Sequence, residues 1–205
     1  MKKFADCFLN SVLAGLMISI GGVAFLKSEN RYIGALLFTV GLISVLYYQM
    51  NLYTGKVGYM FQNNVSYAVS LLYIIIGNAV GCLIIAMCFA PIGNVADICS
   101  AKLDKGALRV IIDSAMCGLL VFISVDSYKV KNTVVGVLVC IPAFIICGFE
   151  HSVADMFYLF NARIFTAESF VFLAEVIIGN ALGCLLLPVS GIALKALRKD
   201  GCKTS

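Results

Sequence analysis

The sequence predicts an all-α integral membrane protein of six transmembrane helices, arranged as two inverted three-helix repeats with spans two and five broken. Three observations predict it. The chain is 61% hydrophobic and 13% charged over 205 residues, with mean hydropathy +1.00. A soluble domain carries about 25% charged residues, so here lipid must cover what polar surface cannot. Apolar runs recur at the length of a membrane span, and a seven-residue motif recurs half a chain later.

A helix needs roughly 20 apolar residues to cross the hydrocarbon core. Phe8–Leu26 offers 19 without a charge, and Tyr32–Met50 and Ser66–Ala90 follow. Arg109–Val125 is shorter and interrupted by Asp113; Thr133–Phe149 is fifth; Phe170–Leu194 is sixth and contains Glu175. These runs leave only short loops, so residues 1–205 are expected to form a single transmembrane domain. The first run follows Met1-Lys2-Lys3 but lacks a small-x-small cleavage site, and it reads as a retained span.

Charge gives an orientation. With both termini cytoplasmic, nine basic residues (Lys2, Lys3, Lys56, Lys129, Lys131, Lys195, Arg198, Lys199, Lys203) lie inside. Six (Lys27, Arg31, Lys102, Lys105, Arg109, Arg163) then lie outside, which fits the positive-inside rule. The nine cysteines form no C-x-x-C pattern and read as small packing residues. A single histidine excludes a histidine-rich metal site. No nucleotide loop, H-E-x-x-H or basic-aromatic tract is present, so no cofactor, metal or nucleic-acid partner is expected.

The repeat sets the topology. Gly77-Asn78-Ala79-Val80-Gly81-Cys82-Leu83 returns as Gly179-Asn180-Ala181-Leu182-Gly183-Cys184-Leu185, identical at six of seven positions. Ser11, Gly15, Leu16 and Ile20 return as Ser114, Gly118, Leu119 and Ile123. Repeat one then covers about residues 1–100 and repeat two about 101–205. Three spans per half is odd, so the second half enters the membrane upside down. Such folds place their sites near the midplane, where helices are interrupted.

The equivalent interruptions fall in the second span of each half. One apolar run stops at Asn51-Leu52-Tyr53-Thr54-Gly55-Lys56 and the other at Gly148-Phe149-Glu150-His151-Ser152. The apolar stubs Val57–Phe61 and Val153–Phe160 follow, with Gly55 and Gly148 suited to the turns. Unwound backbone at this depth must be buried or line a cavity. His151 stands at one break, and an ionisable group within the membrane is a functional candidate. Its imidazole could attract an anion, donate a hydrogen bond or pass a proton. Glu150, its neighbour, points elsewhere and is expected to accept from orphan backbone N–H groups of the facing break. Thr54, aligned with Ser152, either bonds the His151 ring or caps the following stub. Lys102, Lys105 and Arg109 crowd the loop before span four and could form a positive vestibule. Asp113, Asp155 and Glu175 read as packing or oligomer contacts.

At these residues the chain resembles the formate/nitrite transporter family, which conducts small monovalent anions. Gly148-Phe149-Glu150-His151-Ser152-Val153-Ala154-Asp155-Met156-Phe157 is similar to the family signature around its central pore histidine. Asn51-Leu52-Tyr53-Thr54 resembles the loop that breaks span two, and Gly-Asn-x-x-Gly recurs in spans three and six. The resemblance covers nearly the whole chain. It implies a homopentamer in the cell membrane, with one hourglass pore per protomer. It implies that Phe38, Leu42 and Phe144 form apolar slits, and that Tyr53 is the loop aromatic. It also implies that Thr54 bonds near His151, with Asn51 and Ser152 supporting the breaks. Phe122 stands where the family usually has asparagine, and Asp155 where asparagine is common. The vestibule lysine is Lys102 or Lys105, and the stretch between Gly118 and His151 is short.

The function expected is a pH-dependent channel for weak-acid monoanions such as formate, nitrite or hydrosulfide, with protons as co-participants. It is a transporter rather than an enzyme. A neutral-solute channel of aquaporin type shares the six-span inverted pattern. Its Asn-Pro-Ala stubs are replaced by Asn63-Asn64-Val65 and Asn161-Ala162-Arg163. An intramembrane enzyme or a non-transporting subunit is the reading from another class, and neither break supplies His151 with a second catalytic partner.

Overall fold

The computed structural model describes residues 2–201, with side-chain surroundings for residues 4–194. Lys2, Lys3, Lys195, Arg198, Lys199 and Lys203, which enter the charge count above, lie outside the residues whose side chains are described. The described chain is helical, without strands. Its helices are α1 (Lys2–Leu26), α2 (Arg31–Tyr47), α3 (Tyr53–Lys56), α4 (Val65–Cys88) and α5 (Val95–Leu103). They continue with α6 (Ala107–Lys131), α7 (Val135–Cys147), α8 (Ser152–Asn161) and α9 (Ala167–Gly201). A 3-10 segment, Val57–Gln62, continues α3.

Four helices are long and apolar enough to cross a bilayer: Phe4–Leu26, Val65–Cys88, Ala107–Lys131 and Ala167–Leu194. The pair α7 and α8, bent by 54° at its break, makes a fifth crossing if taken together. α2 is apolar but only 17 residues long. It starts where Asn30 accepts from the N–H groups of Tyr32 and Ile33, an N-cap of the usual kind. The short helix α5 lies in what the sequence reads as a loop; its nine residues are too few to register as a span.

α1 packs along α4, and α6 along α9, in matching ways. Gly15 faces the backbone of Asn78, and Gly118 faces the backbone of Asn180. A Cβ at either glycine would strike a carbonyl oxygen, so only glycine permits these approaches. Close small-residue contacts are how apolar helices associate in lipid, where burial itself drives little. Large apolar side chains such as Leu72, Ile76, Val171 and Ile178 remain exposed around the outside.

Candidate functional site: two breaks and two cavities

α2 ends at Tyr47 and α7 at Cys147, and each end is built by one left-handed residue. These are Gln49 (φ 52) and Gly148 (φ 71). Met50 N–H then donates to the Val45 carbonyl at 2.9 Å, and Phe149 N–H to the Phe144 carbonyl at 3.0 Å. The first turn therefore uses Gln49, not Gly55, which sits inside α3.

Each break is held by an asparagine from the repeated motif. Asn78 Oδ1 accepts from Tyr53 N–H at 3.0 Å, and its amide donates to the carbonyls of Ser11 and Asn51 at 2.7 and 2.9 Å. Asn180 Oδ1 accepts from Ser152 N–H at 2.9 Å, and its amide donates to the carbonyls of Ser114 and Glu150 at 2.9 and 2.8 Å. Both asparagines are wholly buried. Each one satisfies an N–H and a carbonyl that a broken helix orphans, which would be costly if left unpaired, and ties them to a carbonyl of the neighbouring unbroken helix. One turn on, Cys184 Sγ donates to the Thr54 carbonyl and Cys82 Sγ to the Val153 carbonyl, both at 3.3 Å. The repeat makes these residues visible in the sequence, but only the structure gives them a role.

These bonds fix the alignment of the two breaks. Tyr53 matches Ser152 and Thr54 matches Val153, one residue away from the sequence alignment, which paired Thr54 with Ser152. The sequence alignment matched hydroxyls; the backbone groups bound by Asn78 and Asn180 set the true register. In that register His151 corresponds to Leu52, Glu150 to Asn51, and Asp155 to Lys56.

His151 is 3% exposed. It is the N-cap of α8, with Nδ1 accepting from Ala154 N–H at 3.2 Å. The ring proton of the neutral tautomer is thereby assigned to Nε2, which donates to Thr54 Oγ1 at 3.0 Å. Thr54 is not a cap; Leu52 is the N-cap of α3 and makes no side-chain bond. Phe144 stacks on the His151 ring at 5.7 Å between centroids and meets Phe38 edge-on at 6.2 Å.

A cavity of about 570 Å³ opens beside Phe38, Phe144 and His151. A second, of about 450 Å³, is lined by Leu42, Val45, Leu52 and Lys56. Thr54 and Tyr53 are buried and line neither. Tyr53 packs in a cluster with Val57, Ile74 and Phe122, its hydroxyl donating to the Ile177 carbonyl at 3.3 Å. Asn51 ties its break to α1, donating to the Cys7 carbonyl at 3.2 Å.

The charged residues meet at the first cavity. Lys102 pairs with Glu150 and, at 2.9 Å, with Asp155 Oδ1. Lys105 bridges Glu150 Oε1 at 2.6 Å and Asp113 Oδ2 at 2.9 Å, and donates to the Gly148 carbonyl at 3.2 Å. Arg109 reaches Asp113 Oδ1 at 2.9 Å. This corrects the expectation for Glu150: its carboxylate holds two lysines, and only its backbone carbonyl serves a break. Neither lysine is free. Burial alone pulls the Lys102 ammonium down, but Asp155 and Glu150 outweigh it and hold its pKa above the ordinary lysine value. Lys105 is likewise raised: burial opposes its charge, and its bonds to Glu150 and Asp113 win. Asp113 and Asp155, read from sequence as packing contacts, have lysine partners. Distance along the chain hid the Asp155 partner, whereas Asp113 follows Arg109 at i,i+4 spacing, a local signal that could have found it.

The comparisons with known proteins fit this architecture. Residues 1–193 match the family model described as Formate/nitrite transporter. The chain belongs to the formate/nitrite transporter family. It is 28% identical over 203 residues to the uncharacterized transporter YrhG of Bacillus subtilis (strain 168), covering 84% of this chain and 76% of that protein. Its fold is similar to a solved FNT family ion channel, with TM-score 0.83 at 20% identity over 93% of this chain and 90% of the other. It is also similar to a pentameric formate channel with formate bound, with TM-score 0.75 at 19% identity over 96% and 98%. A multi-span membrane transporter is thus what the family and the fold establish.

Proposed function

We propose that this transporter is a pH-dependent channel for small monovalent weak-acid anions of the formate, nitrite or hydrosulfide type. Six spans in two inverted repeats would carry it, with α2 plus α3 and α7 plus α8 as the broken ones. Both termini would face the cytoplasm across the cell membrane. The working unit would be a homopentamer, as in the pentameric formate channel of similar fold.

The observation that carries the reading is the buried His151–Thr54 hydrogen bond at 3.0 Å, which joins the two breaks and lies behind apolar side chains. A bare anion in an apolar constriction is costly. A weak acid escapes that cost by taking a proton, and His151 is the titratable ring that faces the cavity. Phe38 and Phe144 would form the slit on its side, and Leu42 the slit on the other. Lys102 and Lys105 stand at the entrance on the His151 side. Tyr53 would act through the loop backbone, since its ring lies in the packed cluster.

Flux into proteoliposomes at stepped pH tests the reading. Formate flux is expected to rise as the pH falls, and sulfate to be excluded at every pH. Sulfate passing as readily as formate would sink it. Swelling in a neutral solute without anion flux would favour the aquaporin-type alternative.

A further inference from the structure

The charges around the first cavity balance. Glu29, Arg31, Lys102, Lys105, Glu150 and Asp155 line it, three basic and three acidic. Asp113 and Arg109 pair just behind. A wall meant only to draw in anions would not hold a second carboxylate on Lys102. Glu150 already pairs with that lysine, so Asp155 is its second carboxylate and completes the balance. Asp155 is 1% exposed, its Oδ1 lies 2.9 Å from Lys102, and its Oδ2 has no hydrogen-bond partner among the described residues. It stands one helical turn beyond His151, its N–H donating to the His151 carbonyl at 2.8 Å.

We propose that Asp155 is a specificity-determining switch on the charge of this cavity. Ionised, it cancels Lys102 and leaves the wall neutral; protonated, it leaves a net positive charge beside His151 that concentrates anions there. The inference rests on the anion-pore reading above and adds to it a second acid-side control, separate from proton uptake by the substrate. The unpartnered Oδ2 is where the proton is added, so protonation breaks no existing hydrogen bond.

The other groups around Asp155 do not duplicate it. α5 brings Lys102 and Cys99 to it, and α6 brings Cys117. Its own segment brings Glu150, His151 and Tyr158. α4 carries no charged residue, and α1 none after Asp6. Glu168 and Glu175 of α9 do not line the cavity. Glu150 touches both lysines, so it remains paired whatever the state of Asp155.

Two measurements test this on the full chain in liposomes. Formate uptake by Asp155→Asn is expected to exceed wild type about tenfold at neutral external pH, where a cleft of one sign concentrates counter-ions by such factors. The excess should shrink toward acid, flattening the pH profile. Equal uptake with an unchanged profile, or lower uptake at every pH, would overturn the proposal. Independently of transport, infrared difference spectra of wild type on acidification should show a protonated-carboxyl band that Asp155→Asn lacks. A wild type with no such band, or a band that survives the substitution, would overturn it too. Absence of wild-type anion flux with the band present would instead remove the anion-pore reading and leave Asp155 as a proton site.

Discussion

Leu52 occupies, at the break after α2, the position that His151 holds at the break after α7. Around them the backbone is the same: one left-handed residue, one asparagine making three hydrogen bonds, one cysteine thiol on a carbonyl of the helix that follows. The side chains differ at nearly every position that faces a cavity. Gln49, Leu52 and Lys56 on one side become Gly148, His151 and Asp155 on the other, and Asn51, which bonds α1 instead of facing its cavity, becomes Glu150. The cavities differ accordingly. The first has a balanced set of ion pairs, whereas Lys56 and Lys129 of the second make no ion pair among the described residues. Lys129 instead lies 3.4 Å above the Tyr59 ring, whose hydroxyl donates to Asp126. The scaffold is duplicated, and the histidine and the buried carboxylates stand on one copy.

If the scaffold is shared, the two asparagines are equally needed. Asn78→Leu and Asn180→Leu each strand the N–H of one break and the carbonyl of Asn51 or Glu150, at about 1–3 kcal/mol per group. Each variant is expected to lose on the order of 4 kcal/mol, read as a large fall in melting temperature in detergent. A large loss at one site only would break the equivalence of the two halves.

The ion pairs should show the opposite, an asymmetry. Lys102→Gln leaves the buried Asp155 without its cation, Glu150 keeping Lys105, and is expected to cost about 3–5 kcal/mol, with Asp155→Asn in the same chain recovering part. Lys56→Gln, at the equivalent cavity, is expected to stay within about 0.5 kcal/mol. Because the Lys102 pKa is raised, its contribution is complete below the ordinary lysine value and is lost only as pH rises through the higher folded value. Denaturation midpoints of wild type from neutral to moderately alkaline pH should therefore show no loss from this pair.

The smallest contrast lies in the turns. Gly148→Ala forces a side chain into φ 71 and should cost about 1 kcal/mol, whereas Gln49→Gly relieves φ 52 and should gain a few tenths. The same sign at both positions would mean that the turns are not equivalent.

Much of the fold is legible in the sequence because its cause is local or repeated. Apolar length marks the long helices, and the recurrence of Gly77–Leu83 at Gly179–Leu185 marks the matched packing of α1 with α4 and α6 with α9. His151 stands out because a lone histidine within an apolar frame needs a reason. Thr54 follows from the matching break after α2. The register of the breaks is not legible, since it depends on which N–H Asn78 and Asn180 reach across space. Glu150 misleads for a related reason: the lysines that claim it are 48 and 45 residues away, on α5 and the turn after it. Nothing in the local pattern ties Asp155 to Lys102.

The claim that the pH-sensing histidine and its carboxylates belong to one break alone is tested most directly by the pH profile of formate flux in reconstituted protein. The comparison sets His151→Phe against Leu52→Val and wild type. His151→Phe is expected to lower flux and flatten the profile, while Leu52→Val keeps the wild-type shape. A wild-type profile in His151→Phe would contradict the account and remove His151 from the mechanism.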